Sequence, residues 1–109
     1  MKLVKCIVRD CMAEQTATAL KALDLSGITV TEVRGRGRNE CRSAAFRGRT
    51  FEMLSTNMMI DVVTADHLVD DIVRIVMETA RTGRGGDGRI FVFPVEEAYT
   101  IRTRSGGVE

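Results

Sequence analysis

The segment Thr82-Gly83-Arg84-Gly85-Gly86-Asp87-Gly88-Arg89, followed by Ile90-Phe91-Val92-Phe93, is the most informative stretch of this chain. Its four glycines can adopt positive φ angles, so that several backbone N–H groups point into one anion-binding concavity. Arg84 and Arg89 add positive charge suited to phosphate oxygens. The glycine spacing also fits the dinucleotide pattern G-x-G-x-x-G, but that pattern needs a strand before it and a helix after it. Here a helical segment comes before and a strand comes after, which predicts a phosphate-binding loop of another kind.

Hydrophobic periodicity on either side of this loop predicts four strands and two helices. The predicted strands are residues 2–9, 28–35, 58–64 and 90–95, and the predicted helices are residues 12–25 and 68–79. Residues 36–55 carry many charges and almost no periodicity. We expect them to form a long irregular loop, and loops of this length in a small domain are usually functional.

The order of these elements is β-α-β, long loop, β-α-β. Two such halves predict a ferredoxin-like α+β fold: a four-stranded antiparallel sheet with both helices on one face. The other face of the sheet would then be bare, with Leu3, Ile7, Phe91 and Phe93 as candidates to lie on it. A bare apolar face in a small domain predicts association with another surface.

Composition is typical of one small globular domain, which we expect to span residues 1–109. No apolar stretch is long enough to cross a membrane or to direct secretion, so the expected location is the cytoplasm. The three cysteines Cys6, Cys11 and Cys41 lack metal-ligand spacing, and the sequence predicts no metal site. Cys6 falls in an apolar strand and is expected to be a small core residue.

The near-neutral net charge of +1 hides a basic segment. Only Glu40 offsets the arginines between positions 34 and 49, which are Arg34, Arg36, Arg38, Arg42, Arg47 and Arg49. Such a surface meets anions, either a nucleotide, a nucleic acid or an acidic partner. The segment carries no nucleic-acid motif, which argues against a nucleic-acid binder. A nucleic-acid-binding module that uses this arginine-rich loop is nevertheless one alternative.

Several segments together resemble the PII family of nitrogen-regulatory signal transducers, over nearly the whole chain. The matching segments are the opening Met-Lys-Leu-Val, residues 28–38, Arg47-Gly48, residues 80–83, residues 86–92 and Ile101-Arg102-Thr103. The resemblance implies a homotrimer with a nucleotide site at each cleft between subunits. It also implies a mobile loop at about 37–54 that contacts protein targets, a glycine phosphate loop at 82–89 and a C-terminal tail at 99–109.

By position, the resemblance implies a site for ADP, ATP or AMP. Such a site is compatible with a Mg²⁺ ion bound to the nucleotide. The base would be held by Ile7, Gly27, Thr29, Gly35, Asp61 and Val63 or Thr64. The phosphates would lie on Gly37, Arg38, Gly86, Asp87, Gly88 and Arg89. Arg102 would close the site, with Arg104 as a second tail arginine.

The chain departs from the family pattern at the effector site and at the modification site. Phe51 stands where many members carry a modifiable tyrosine, so no modification is expected there. The effector residues implied by the family are Gly37, Arg38 and a glutamine, but the last position is Asn39. The family's lysine at the end of the loop is also missing, and Asn57 lies in the segment that replaces it. These changes argue against 2-oxoglutarate sensing and leave room for another small anion, such as bicarbonate.

The resulting prediction is a regulator and not an enzyme. A nucleotide and a second small anion would set the state of residues 37–54, which would bind a protein target such as a membrane transporter or a metabolic enzyme. One alternative is a switch that hydrolyses ATP slowly, with Asp87 and Arg89 beside the phosphates.

Overall fold

The computed structural model describes residues 1–36, 42–46 and 49–107, with only the backbone given for 42–46 and 49–53. The main sheet contains the strands β1 (Lys2–Arg9), β2 (Thr29–Gly35), β5 (Ser55–Thr64) and β6 (Gly88–Pro94). Two short strands, β3 (Arg42–Phe46) and β4 (Arg49–Met53), pair with each other between β2 and β5. The helices are α1 (Ala13–Leu20) and α2 (Val69–Ala80), and a small hairpin of β7 (Tyr99–Thr100) and β8 (Ser105–Gly106) follows β6.

The main sheet has the order β2-β5-β1-β6, and all its pairings are antiparallel. This is the ferredoxin-like arrangement that the sequence predicts. Because β1 is central, its residues alternate cleanly between the two faces: Val4, Cys6 and Val8 are buried. The edge strands β2 and β6 are much more exposed along their whole length.

Both helices cover the same face of the sheet, where the core lies. The buried apolar residues come from the two central strands and from the inner stripes of the helices: Val4, Cys6, Val8, Ala13, Leu20, Ile60, Val62, Ile72, Val76 and Ala80. Thr16 is also buried, and its hydroxyl donates to the carbonyl of Met12 at 2.7 Å, so no polar atom of that side chain is stranded. Burial, with a smaller contribution from Asp61, raises the pKa of the Cys6 thiol to about 11, which agrees with its predicted place in the core.

None of the described helices covers the opposite face of the sheet. The register places Leu3 beside Phe93 and Lys5 beside Phe91 on this face. Phe91 and Phe93 are 40% and 44% exposed, respectively. The bare apolar face that the sequence predicts is therefore present in the single chain.

The structure corrects several boundaries. The first helix ends at Leu20 and not at Leu25, because the N–H groups of Lys21, Ala22 and Leu23 each donate to a carbonyl three residues back, in tight turns. Strand β5 starts at Ser55 and not at Met58, because the end of β2 pairs with it as far as Gly35 opposite Ser55.

The segment expected to be an irregular loop contains regular structure. Strands β3 and β4 form an antiparallel pair, with Arg42 opposite Met53 and Phe46 opposite Arg49. Their sequence shows no clear period of two, because the pair stands apart from the main sheet and no core imposes alternation on it. The tail hairpin of β7 and β8 was likewise not expected from the sequence.

Candidate functional site

The glycine loop connects α2 to β6 and owes its shape to three backbone positions. Gly83, Gly86 and Gly88 have φ angles of +86°, +94° and +105°. Residues with a side chain rarely adopt these values, so glycine is required wherever the loop reverses direction. The chain thereby turns through a tight bend immediately before the edge strand.

The carboxylate of Asp87 organises this loop from inside. One oxygen accepts hydrogen bonds from the N–H groups of Thr82 and Gly83, both at 2.9 Å, and the other accepts from the Thr82 hydroxyl. These donors, the Thr82 hydroxyl first among them, hold the pKa of the Asp87 carboxyl well below its usual range. The sequence prediction placed Asp87 among the phosphate contacts. In this structure its carboxylate is committed to the loop itself.

Arg9, which the sequence prediction did not include, ties the loop to the end of β1. Its Nε donates to Asp87 at 3.1 Å, and its Nη2 donates to the carbonyl oxygen of Gly85 at 2.6 Å. Since Val8 pairs with Gly88, the next rung of the ladder places Arg9 opposite Asp87. The only sequence signal for this contact is a cation at the last position of the strand.

Gly88 makes a close approach to β1 that no other residue would permit. A Cβ atom at this position would lie 1.7 Å from the carbonyl oxygen of Ile7, and the positive φ angle would add strain. Gly27 and Gly35 differ, since a Cβ on either would meet no described atom within 4 Å. Contacts among the described residues therefore do not require glycine at those two positions.

A groove of about 310 Å³ lies beside the glycine loop. Its walls come from β1, the last turns of α2 and the start of β6: Ile7, Val8, Val76, Met77, Ala80, Arg81, Asp87, Gly88, Arg89 and Ile90. Arg81 and Arg89 are exposed, so two guanidinium groups lie with Asp87 at a groove whose other side chains are apolar. The sequence-predicted residues Ile7, Asp87, Gly88 and Arg89 are thus brought together.

Apart from Ile7, which lines this groove, the predicted base-binding residues lie elsewhere. Thr29 lies opposite Asp61 in the β2–β5 ladder, and Val63 and Thr64 follow at the end of β5. A second pocket, of about 220 Å³, is lined there by Asp24, Ser26, Val63, Thr64, Ala65, His67 and Leu68. Asp61 forms an ion pair with Lys5 at 3.3 Å, but the same buried oxygen accepts no hydrogen bond.

These two groups do not meet within one chain. Thr29 and Gly88 lie on the two edge strands of the sheet, three strand spacings or roughly 14 Å apart. The two pockets share no residue. Gly35 ends β2 on the edge opposite the glycine loop, while Gly37, Arg38, Asn39 and the Phe51 side chain lie outside the described residues.

The tail that carries the two arginines leaves the sheet at the end of β6 that is away from the glycine loop. Strand β6 starts at the loop and ends at Pro94, opposite Lys2, and the tail leaves from that end with the N–H of Val95 donating to Met1. Arg102 and Arg104 occupy the turn between β7 and β8 and are exposed. Neighbouring Ile101 is 95% exposed, which is an extreme value for an apolar side chain.

The described residues contain no group of three or more His, Cys, Asp or Glu side chains placed to hold a metal ion. In the same residues, no helix is long and apolar enough to cross a membrane.

Comparison with known proteins agrees with this geometry. The family model for nitrogen regulatory protein P-II matches residues 1–105. The chain is 36% identical over 104 residues to the nitrogen regulatory protein P-II of Haemophilus influenzae, covering 94% of this chain and 93% of the relative. It is 40% identical over 108 residues to nitrogen regulatory protein P-II 2 of Methanothermobacter thermautotrophicus, covering 98% and 94%.

A third relative is named for nitrogen fixation. The nifHD region GlnB-like protein 1 of Methanobacterium ivanovii is 39% identical over 108 residues, covering 99% of this chain and all of the relative. The matches span nearly the full length of both partners and include the glycine loop and both halves of the sheet. This chain therefore belongs to the nitrogen regulatory protein P-II family of signal-transduction regulators.

Proposed function

We propose that this PII protein binds an adenine nucleotide at its glycine loop and transmits the bound state to a protein target through residues 37–54. The observation that carries the proposal is the internally bonded loop, in which Asp87 holds three positive-φ glycines in a fixed turn. A loop whose shape is set before binding loses little conformational freedom when an anion arrives. Arg89, at the first rungs of β6, adds a charged donor for phosphate oxygens.

A nucleotide site of this kind needs a second copy of the chain. Gly88 and Arg89 begin one edge strand of the sheet and Thr29 lies on the other, and the face opposite the helices exposes Phe91 and Phe93. In a homotrimer the bare faces are buried against one another, and an edge of one sheet meets its neighbour. This arrangement also supplies a reason for glycine at Gly27 and Gly35, where the single chain leaves open space.

Hydrolysis of the nucleotide is not favoured by the same geometry. A general base must be free to accept a proton from the attacking water. The Asp87 carboxylate already accepts from Thr82, Gly83 and Arg9, and these donors stabilise its ionised form. We therefore propose a sensor and not a hydrolytic switch.

The second effector is proposed to be a small anion other than 2-oxoglutarate. Asn57, in the segment where the family carries its lysine, pairs with Arg9 on the neighbouring strand. The guanidinium of Arg9 is already bonded to Asp87 and to the carbonyl of Gly85, so Arg9 does not replace that lysine. Bicarbonate, which needs fewer contacts than a dicarboxylate, is the first anion to test.

Calorimetric titration with ATP, ADP and AMP tests the proposal, each with and without Mg²⁺, 2-oxoglutarate and bicarbonate. We expect nucleotide binding that 2-oxoglutarate does not strengthen, and light scattering at the same concentrations should give the mass of a trimer. Tighter ATP binding with 2-oxoglutarate would contradict the effector assignment. No binding of any nucleotide would contradict the site.

The Asn57→Lys variant sharpens the effector test. It restores a cation at the end of the loop, and a carboxylate contact of this kind strengthens binding about tenfold. If Asn57→Lys leaves ATP binding unchanged and makes it respond to 2-oxoglutarate, the lost lysine explains the altered specificity. A variant as indifferent as the parent would show that Asn39 or the loop limits the response.

A further inference from the structure

Arg9 is not one of the residues predicted to bind the nucleotide, but it contacts the glycine loop. It lies on β1, 78 positions away from Asp87 in sequence, yet it makes two directional hydrogen bonds to the glycine loop. One goes to the Asp87 carboxylate and the other to the Gly85 carbonyl. The guanidinium therefore opposes the negative charge of the loop and also holds its backbone in place. Its side chain is only 28% exposed, which limits other contacts with solvent.

Asp87 poses an electrostatic problem for any phosphate site. Its carboxylate is ionised, lies within the loop and is 23% exposed. A like charge a few ångströms from a polyphosphate is repulsive, and the repulsion grows with the number of phosphate groups. The N–H and hydroxyl donors of Thr82 and Gly83 carry no net charge, whereas Arg9 carries one full positive charge in direct contact.

We propose that Arg9 is a positioning residue for the glycine loop, which cancels the charge of Asp87 and fixes the Gly85 carbonyl so that the loop accepts a polyphosphate. Arg9 acts through Asp87 and Gly85 and does not contact the ligand. The inference rests on the proposed nucleotide function for its ligand, but the clamp on the loop exists without one. A site built in this way discriminates among ATP, ADP and AMP by charge.

The first test needs no nucleotide. In Arg9→Gln, hydrogen exchange at the amides of Thr82 and Gly83 should accelerate, while exchange in the core of α2 stays as in the parent protein. The matched control is Arg74→Gln, which removes an exposed arginine whose ion pairs, to Asp71 and Glu78, lie within α2. Unchanged exchange at Thr82 and Gly83 in Arg9→Gln would overturn the positioning role.

The second test uses the charge of the ligand. Losing the charge-assisted bonds should weaken ATP binding roughly tenfold in Arg9→Gln, with a smaller loss for AMP and none for adenosine. Equal losses for all three ligands would indicate general damage to the site and would overturn the charge argument. Arg9→Lys keeps the charge but cannot reproduce the forked geometry, so it should fall between the parent and Arg9→Gln.

A double-mutant cycle separates positioning from direct contact. If Arg9 acts through Asp87, the effect of Arg9→Gln on ATP binding should shrink to about twofold or less in an Asp87→Asn background. A loss that stays near tenfold in that background would show that Arg9 acts without the charge of Asp87 and would overturn its charge-cancelling role. Failure of the parent protein to bind any nucleotide would refute the proposed function, while the exchange experiment would still decide whether Arg9 clamps the loop.

Discussion

The glycine loop and the C-terminal tail are both expected to hold phosphate, yet the chain treats them differently. Through Thr82, Asp87 and Arg9, the loop is bonded to itself and to β1. The tail hairpin makes local bonds, such as Arg104 to Thr100 and Gly107 to Ala98, and leaves Tyr99 and Ile101 70% and 95% exposed. The loop is therefore held by bonds within one chain, whereas the described part of the tail leaves large apolar side chains exposed.

The strongest way to break this comparison is Gly88→Ala. A Cβ at this position collides with the backbone of Ile7 and requires a positive φ angle, so we expect the free energy of unfolding to fall by about 2–4 kcal/mol. Urea denaturation measures the loss. Gly106→Ala is the control, since its Cβ would make only ordinary contacts, the nearest at 3.6 Å from the carbonyl oxygen of Ala98, and its effect should stay within about 0.5 kcal/mol. Equal effects of the two substitutions would contradict the close approach of β6 to β1.

Substitution in the tail should show the opposite pattern. Arg102→Ala should weaken ATP binding about tenfold, because a charged contact to phosphate is lost across the subunit boundary. Its free energy of unfolding without nucleotide should stay within about 0.5 kcal/mol of the parent value, since Arg102 is exposed. Calorimetry and urea denaturation give the two numbers. An Arg102→Ala protein that is destabilised but binds ATP normally would reverse the roles assigned to loop and tail.

Acid should loosen the loop with little effect on the tail. The folded-state pKa of Asp87 is lowered from an ordinary value of 3.8, so its stabilising contribution is present above that value. The contribution is lost as pH falls below about 4 toward the lower folded-state pKa. Amide chemical shifts of Thr82 and Gly83, with Gly106 and Gly107 as tail references, should therefore stay nearly constant from pH 6 to about 4 and change only at lower pH. Loop shifts that titrate at the ordinary carboxyl value would contradict the internal bonding of Asp87.

The sequence predicts the parts of the fold that a buried face imposes. Alternation of Val4, Cys6 and Val8 predicts β1, and the stripe containing Ile72 and Val76 predicts α2, because each pattern reflects one side packed on the core. The hairpin of β3 and β4 escapes prediction because it is not paired with the main sheet. Its residues are therefore free of the alternation that a core requires.

The candidate site is predictable only in part, for a similar reason. Glycines that need positive φ angles are visible as a cluster in the sequence, and the loop containing Gly83, Gly86 and Gly88 is where it was expected. The role of Arg9 depends on strand register, since it joins Asp87 only because β1 and β6 pair with Val8 opposite Gly88. No local pattern encodes a contact between residues 78 positions apart.

The register of β6 on β1 also limits insertions and deletions in the glycine loop. A residue inserted between α2 and Gly88 would either displace the close contact with Ile7 or shift β6 by one rung. A shift of one rung would turn Phe91 and Phe93 from the bare face of the sheet toward the helices. Strands β3 and β4 are not paired with the main sheet, so insertions and deletions there leave the core untouched. The hairpin of β3 and β4 can therefore change in length during evolution, while the glycine loop must keep its length.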